Sequence, residues 1–187
     1  MLVELLGALD DKIAANAALV DTIDGLAAAL TRAALSDDAD TLGSMAQVTM
    51  GSSPPGNSYN TSGKGIVFYQ GVTDFGVRTP SNRMWTDAPV RIVEQGDILV
   101  SVRAPVGRTN IASEPTCVGR GLAGVRSLSG RNNTLFHLLR DIPEAWQPFE
   151  AKGTIFGSIS SSASGFRPSV PNWWTDLRRS CSPWRTE

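Results

Sequence analysis

From Leu2 to Ala34 the chain repeats one pattern: Leu2, Leu6, Leu9, Ile13, Asn16, Val20, Ile23, Ala27, Leu30 and Ala34 follow one another at alternating intervals of four and three. All but Asn16 are apolar. This is an a/d heptad seam and predicts one long α-helix of the coiled-coil type, roughly 50 Å long at about 1.5 Å per residue. Leu5, Leu19 and Leu26 widen the stripe, so more than one neighbour is expected to cover it. A strict seam exceeds what a terminal helix needs to fold back on its own body. The expected partner is therefore another helix, met along Leu6, Leu9, Ile13, Asn16, Val20, Ile23 and Leu30; folding back is the alternative. A buried Asn on such a seam costs stability and fixes register. Asn16 lies near the middle, so antiparallel pairing with a second copy would set two Asn16 side chains opposite each other.

Ser36-Asp37-Asp38 ends the seam and reads as a polar linker. The period then falls to two. "SMAQVTM" (44–50), "GIVFYQ" (65–70), "VRIVE" (90–94), "DILVSVR" (97–103), "TNIAS" (109–113), "LAGVRS" (122–127) and "TIFGSIS" (154–160) read as strands between Gly, Pro, Asn and Asp punctuation. A helix is expected from about Asn133 to Arg140 with Asn132 as N-cap, and another turn or two from Pro143. Phe68, Ile98 and Val100 read as core. The fold class predicted is α+β: a long N-terminal coiled-coil-type helix, then a strand-rich mixed α/β body.

Charge divides at the same place. Residues 1–40 hold eight acidic and two basic side chains, a net of −6; the rest holds fifteen basic and ten acidic, a net of +5. Thirteen of those fifteen are arginine, which suits bidentate contact with phosphate or a guanine edge better than lysine does. An acidic arm and a basic body suggest different partners. Charge interrupts the longest apolar runs, so no membrane span is expected. Met1-Leu2-Val3-Glu4 lacks the basic start of a signal peptide, so export is not expected either. Cys117 and Cys181 provide neither a disulfide framework nor metal-ligand spacing.

Enzyme motifs fail one by one. "GSSPPGNS" (51–58) has phosphate-loop spacing but carries Asn57 in place of lysine, and Pro54 and Pro55 remove two backbone donors. "SSPPG" approximates the Pro-Pro-aromatic element of amino-methyltransferases, with Gly56 where the ring should stand. His137 is the single histidine and reads as structural; no Gly-x-Ser-x-Gly elbow accompanies it. Asp97 suits the local hydrogen bonding of the "EQGDI" turn.

Five segments together resemble the target-recognition domain of type I restriction–modification specificity subunits: "GKGIVFYQGVTDFG" (63–76), "MWTDAPVRIVEQGDILVSVRAPVGRTNIA" (84–112), "CVGRGLAGVRS" (117–127), "NNTLFHLLRDI" (132–142) and "KGTIFGSIS" (152–160). "LGALDDKIAANAALVDTIDGLAAAL" (6–30) resembles that family's spacer helix. The resemblance runs over about residues 2–170. It implies a cytoplasmic, non-enzymatic subunit that reads double-stranded DNA. Methylation subunits, and restriction subunits through them, would hold S-adenosylmethionine, ATP and Mg, and this chain no cofactor. On the residues themselves, Pro105 and Gly107 make a corner between strands, flanked by Arg103 and Arg108. One guanidinium can grip phosphate while the other reaches a base edge; Arg103 has a second reading, buried against backbone carbonyls or Asp97. Gln70 can pair with adenine, and Tyr69 can contact phosphate or stack. Arg120 sits between Gly119 and Gly121, small neighbours that would let DNA approach. Ser158, with Gly157, completes the expected groove.

The expected organisation is a pairing helix (1–36), a recognition domain (37–170) and an atypical tail (171–187). The tail packs Trp173, Trp174, Trp184 and Cys181 into a stretch without periodicity and reads as a frameshifted or truncated end. Full-length members of the family carry two helices and two recognition domains. One of each suggests either a half-subunit that self-pairs through its arm, or an assembly module or inactive fragment that does not read DNA alone.

Overall fold

The computed structural model describes residues 2–33, 35–39, 42–141, 146 and 169–171. The chain divides into two compact units, one carrying the long helix and the other running from Ser36 to Val170. Helix α1 spans Leu2–Ala33, about 48 Å at ~1.5 Å per residue. The predicted seam stays open along it, from 50% exposed at Val20 to 74% at Leu2, with Leu6, Leu9, Ile13, Ile23 and Leu30 between those values. Asn16 is exposed too, and Ala34 lies outside the described residues. One expectation needs correcting. By length and composition α1 is apolar enough to cross a membrane, with an 18-residue window of mean hydropathy 1.4. Asp10, Asp11, Lys12, Asp21 and Asp24 do break the apolar run, but they do not lower its mean below that level.

The second unit is strand-rich. Its elements are β1 (Leu35–Ala39, beginning one residue before the unit), α2 (Leu42–Met45), β2 (Ala46–Met50), β3 (Tyr59–Asn60), β4 (Ile66–Tyr69), β5 (Trp85–Thr86), β6 (Ile92–Val93), β7 (Ile98–Ser101), β8 (Thr109–Ile111), β9 (Thr116–Val118), β10 (Leu122–Ser127), α3 (Asn132–Arg140) and β11 (Ser169–Pro171). An antiparallel sheet runs β2-β10-β7-β8, and a mixed one runs β3-β5-β4-β9-β6 with β4 parallel to β9. Both sheets supply one core. Leu99 and Leu122 from the first meet Val67, Tyr69, Val93 and Val118 from the second, and Phe75 and Trp85 pack at its border. Gly124 on β10 allows the closest approach, since a Cβ there would lie 2.2 Å from Val93 Cγ1. Every residue of β7 is buried, because this strand lies inside its sheet. Phe68, Ile98 and Val100 are core as expected.

Other boundaries differ from the reading. Ser36-Asp37-Asp38 is part of β1, which pairs with β11, not a linker. That pairing is made by main-chain groups, whose partners side-chain polarity does not reveal. Ser44 and Met45 belong to a helical turn, where Leu42 and Met45, three residues apart, are both buried. Asn132 begins α3 but does not cap it. Its Oδ1 accepts from Ser127 N at 2.7 Å and its Nδ2 donates to Gly96 O at 2.8 Å, tying α3 to two turns. The strand expected at 154–160 and the turn at Pro143 lie outside the described residues.

Candidate nucleic-acid interface

The corner between β7 and β8 is organised by Ser101, whose role no local pattern marks. Ser101 N donates to Arg108 O at 2.9 Å, and Gly107 N donates to Ser101 O at 3.0 Å. The Ser101 hydroxyl donates to Pro105 O at 2.6 Å and accepts from Arg108 N at 2.8 Å. One buried serine therefore ties down both sides of the corner, which contains a cis Ala104–Pro105 bond. Gly107 has a φ of +80° and would press a Cβ within 2.4 Å of the Trp146 ring, so no other residue fits. Arg103 and Arg108 project into solvent from this fixed loop.

A second node lies at Gly121. Its N–H donates to Gln70 O at 3.2 Å, and its carbonyl accepts from Val102 N at 3.0 Å. Gly119 N donates to Tyr69 O at 2.8 Å, and Arg120 N to Ser53 Oγ at 3.4 Å. The C-terminal ends of β4, β7 and β9 thus meet at one turn. Gln70, Arg103 and Arg120, all exposed, stand around it. The two glycines are small for a different reason from the one expected. A Cβ on Gly121 would lie 2.4 Å from Gln70 O, and one on Gly119 would lie 3.1 Å from Gln70 Cα and from the Phe68 ring. They make room for the protein's own strand ends.

Tyr69 also needs correction. It is 1% exposed and belongs to the inter-sheet core, so its ring is closed to phosphate and base alike. Strand alternation turns it inward where Gln70 turns outward. Its hydroxyl donates to Asn82 Oδ1, and Asn82 Nδ2 donates to Glu114 at 2.6 Å. Burial first, then the charges of Glu114 and Asp74, push the phenol up to about 12. Ser158 and Gly157 lie outside the described residues.

The arginines fall into two groups. Arg103, Arg108 and Arg120 form no ion pair with the described residues. The alternative for Arg103, burial against Asp97, does not occur, because Arg126 holds that carboxylate with two bonds of 2.7 and 2.8 Å. Asp97 also accepts from Glu94 N, the local role expected of it. Arg83, which the sequence reading did not single out, donates through Nε to Asp74 at 2.8 Å. It lines an open cleft of about 200 Å³ together with Gln70, Phe68, Thr73 and Met84. His137 is buried and bonded to Asp141, the structural role expected. Among the described residues no group of three His, Cys, Asp or Glu side chains could hold a metal.

No family model matches the chain. The type I restriction enzyme MjaX specificity subunit of Methanocaldococcus jannaschii is 46% identical over 90 residues, which cover 48% of this chain and 21% of that protein. The HsdS subunit of Thermoanaerobacter tengcongensis superimposes with a TM-score of 0.60 at 31% identity, over 92% of this chain and 46% of its own. A chain from a type I restriction–modification system, solved in work on its complex assembly and conformational transition, gives 0.62 at 28%, over 95% and 48%. The chain therefore spans about half the length of the solved proteins it matches.

Proposed function

We propose, from its kinship with the specificity subunits of type I restriction systems, that this chain is a DNA-sequence reader whose strand-rich unit recognises one half of a split site. The observation that carries this reading is the meeting of Gln70, Arg103 and Arg120 around the Gly121 peptide, with Arg108 on the adjoining corner. Three guanidinium groups without an acidic partner among the described residues are free to neutralise phosphates, and they extend from backbone that hydrogen bonds hold fixed. Gln70 supplies an amide suited to an adenine edge.

Catalysis on this reading belongs to partners: methylation subunits that hold S-adenosylmethionine, and restriction subunits that use ATP and Mg. The chain itself needs no cofactor and works in the cytoplasm. The open seam of α1 is the assembly surface. It joins a second copy or another specificity chain and so sets the distance between two half-sites. A membrane fits it less well, because Asp21 and Asp24 would each cost about 2.5–3.5 kcal/mol near the centre of a spanning helix. A seam crossed by one Asn suits a helical partner instead.

The test is to co-express the chain with a type I methylation subunit from the same genome and to map methylated adenines. A split motif is the expected result. Methylation without sequence preference, or none in an assembled complex, overturns the reading. Asn16→Leu should change the orientation or number of paired helices; an unchanged assembly counts against the self-pairing arrangement.

A further inference from the structure

We propose that Arg83, held by Asp74, reads a guanine at the position next to the one that Gln70 contacts; this rests on the DNA-reading function above. Asp74 is 9% exposed, and its Oδ1 accepts from Arg83 Nε at 2.8 Å, while the Arg83 side chain is 61% exposed. Burying a carboxylate against so exposed a cation is a poor stability device, because solvent screens the attraction while the desolvation penalty remains. What the pair achieves is orientation. With Nε occupied, rotation of the guanidinium is restricted, and its two terminal nitrogens are left as a fork for a ligand.

Three further features place that fork where a base edge can meet it. Met84 O accepts from Phe68 N at 2.9 Å, so the residue after Arg83 is pinned to β4, two residues before Gln70. Ser81 N donates to Asp74 O at 2.9 Å, which closes the loop that begins at Asp74 and ends two residues before Arg83. The cleft that Arg83 shares with Gln70 holds about 200 Å³. That is below the roughly 300–1,000 Å³ of pockets that engulf a ligand, so it admits an edge rather than a whole nucleotide.

Charge decides between guanine and phosphate. Arg103, Arg108 and Arg120 have no acidic partner among the described residues and suit phosphate. Arg83 is neutralised by Asp74, and the carboxylate repels a phosphate brought to the same place. The two terminal nitrogens keep their geometry, and two parallel N–H donors match O6 and N7 of guanine in the major groove.

The experiment is selection from randomised duplexes by the full chain, alone and with its methylation subunit, followed by affinities for the chosen site and its single-base variants. Arg83→Ala is expected to lose about 5- to 150-fold of the preference for guanine at one position, with the other positions unchanged. Arg83→Lys keeps the charge, removes the fork, and should lose most of the same preference. Asp74→Asn should relax that position alone, and adding it to Arg83→Ala should change nothing further. Should Asp74→Asn fail to fold, Arg83→Lys at a half-exposed site carries the test. Loss of affinity for all sequences alike marks a phosphate contact and overturns the assignment, as does an unaltered motif. If the unsubstituted chain selects no sequence in either form, the DNA-reading function fails and this assignment falls with it. If it selects a motif that the Arg83 variants preserve, only the assignment falls.

Discussion

The two units treat large apolar side chains in opposite ways. Within the sheet unit, Phe68, Ile98, Leu99 and Leu122 are at most 1% exposed, and charged groups such as Arg103, Arg108 and Arg120 stand outside. Along α1 the order reverses: Leu2, Leu6, Ile13 and Leu30 are more than half exposed. Fully burying a side chain of that size is worth about 1.5–3 kcal/mol. The sheet unit has realised that gain internally, whereas the exposed side chains of the helix have not. On the proposed assembly role of α1, one unit is organised by folding and the other by association, and substitutions should separate the two.

The largest effect is expected on association. Ile13→Glu with Ile23→Glu should weaken pairing of the helix by about 3–6 kcal/mol if both are covered in the assembly, as read by sedimentation. The melting temperature of the sheet unit should stay put; a shift there would break the contrast. Phe68→Ala should do the reverse, destabilising the sheet unit by about 3–5 kcal/mol in denaturant while leaving helix pairing intact. Gly121→Ala should cost about 1–3 kcal/mol and weaken DNA binding as well, since its Cβ collides with the Gln70 carbonyl.

Tyr69→Phe should cost about 1 kcal/mol through the lost bond to Asn82. It also carries a pH signature. The folded phenol is raised to about 12, above the ordinary value of about 10, so its contribution is complete below pH ~10 and is lost as pH rises toward 12. Stability of the parent should fall across that window, and that of Tyr69→Phe should fall less. The smallest effect on folding belongs to Arg103→Ala or Arg108→Ala, within about 0.5 kcal/mol. Each should nonetheless lower the slope of log affinity against log salt by about one.

Much of this contrast is legible in the residues. The four-three spacing from Leu2 to Leu30 marks a helix whatever its surroundings, and the alternation in "DILVSVR" and "LAGVRS" marks strands in the same way. What escapes is whatever depends on the far side of the chain. Tyr69 and Gln70 are adjacent and both can bond to DNA; only the packing of two sheets decides that one faces inward. Ser101 looks like any serine on a strand until the corner closes over it. Arg83 lies in a stretch without periodicity, and its significance depends on Asp74, nine residues earlier and buried. The Asp37-Asp38 strand escaped because polarity says nothing about which main-chain groups pair.

If the strand-rich unit reads DNA as proposed, the joint at Gly121 bears on how its target can change. It is assembled from the amide and carbonyl groups of residues 70, 102 and 121, so it does not depend on what the side chains at 70, 103 and 120 are. Those three positions can be exchanged while the scaffold beneath them stays as it is. On the proposed DNA-reading role, replacement at 70 would then alter base preference and replacement at 103 or 120 the grip on phosphate, provided the two glycines are retained.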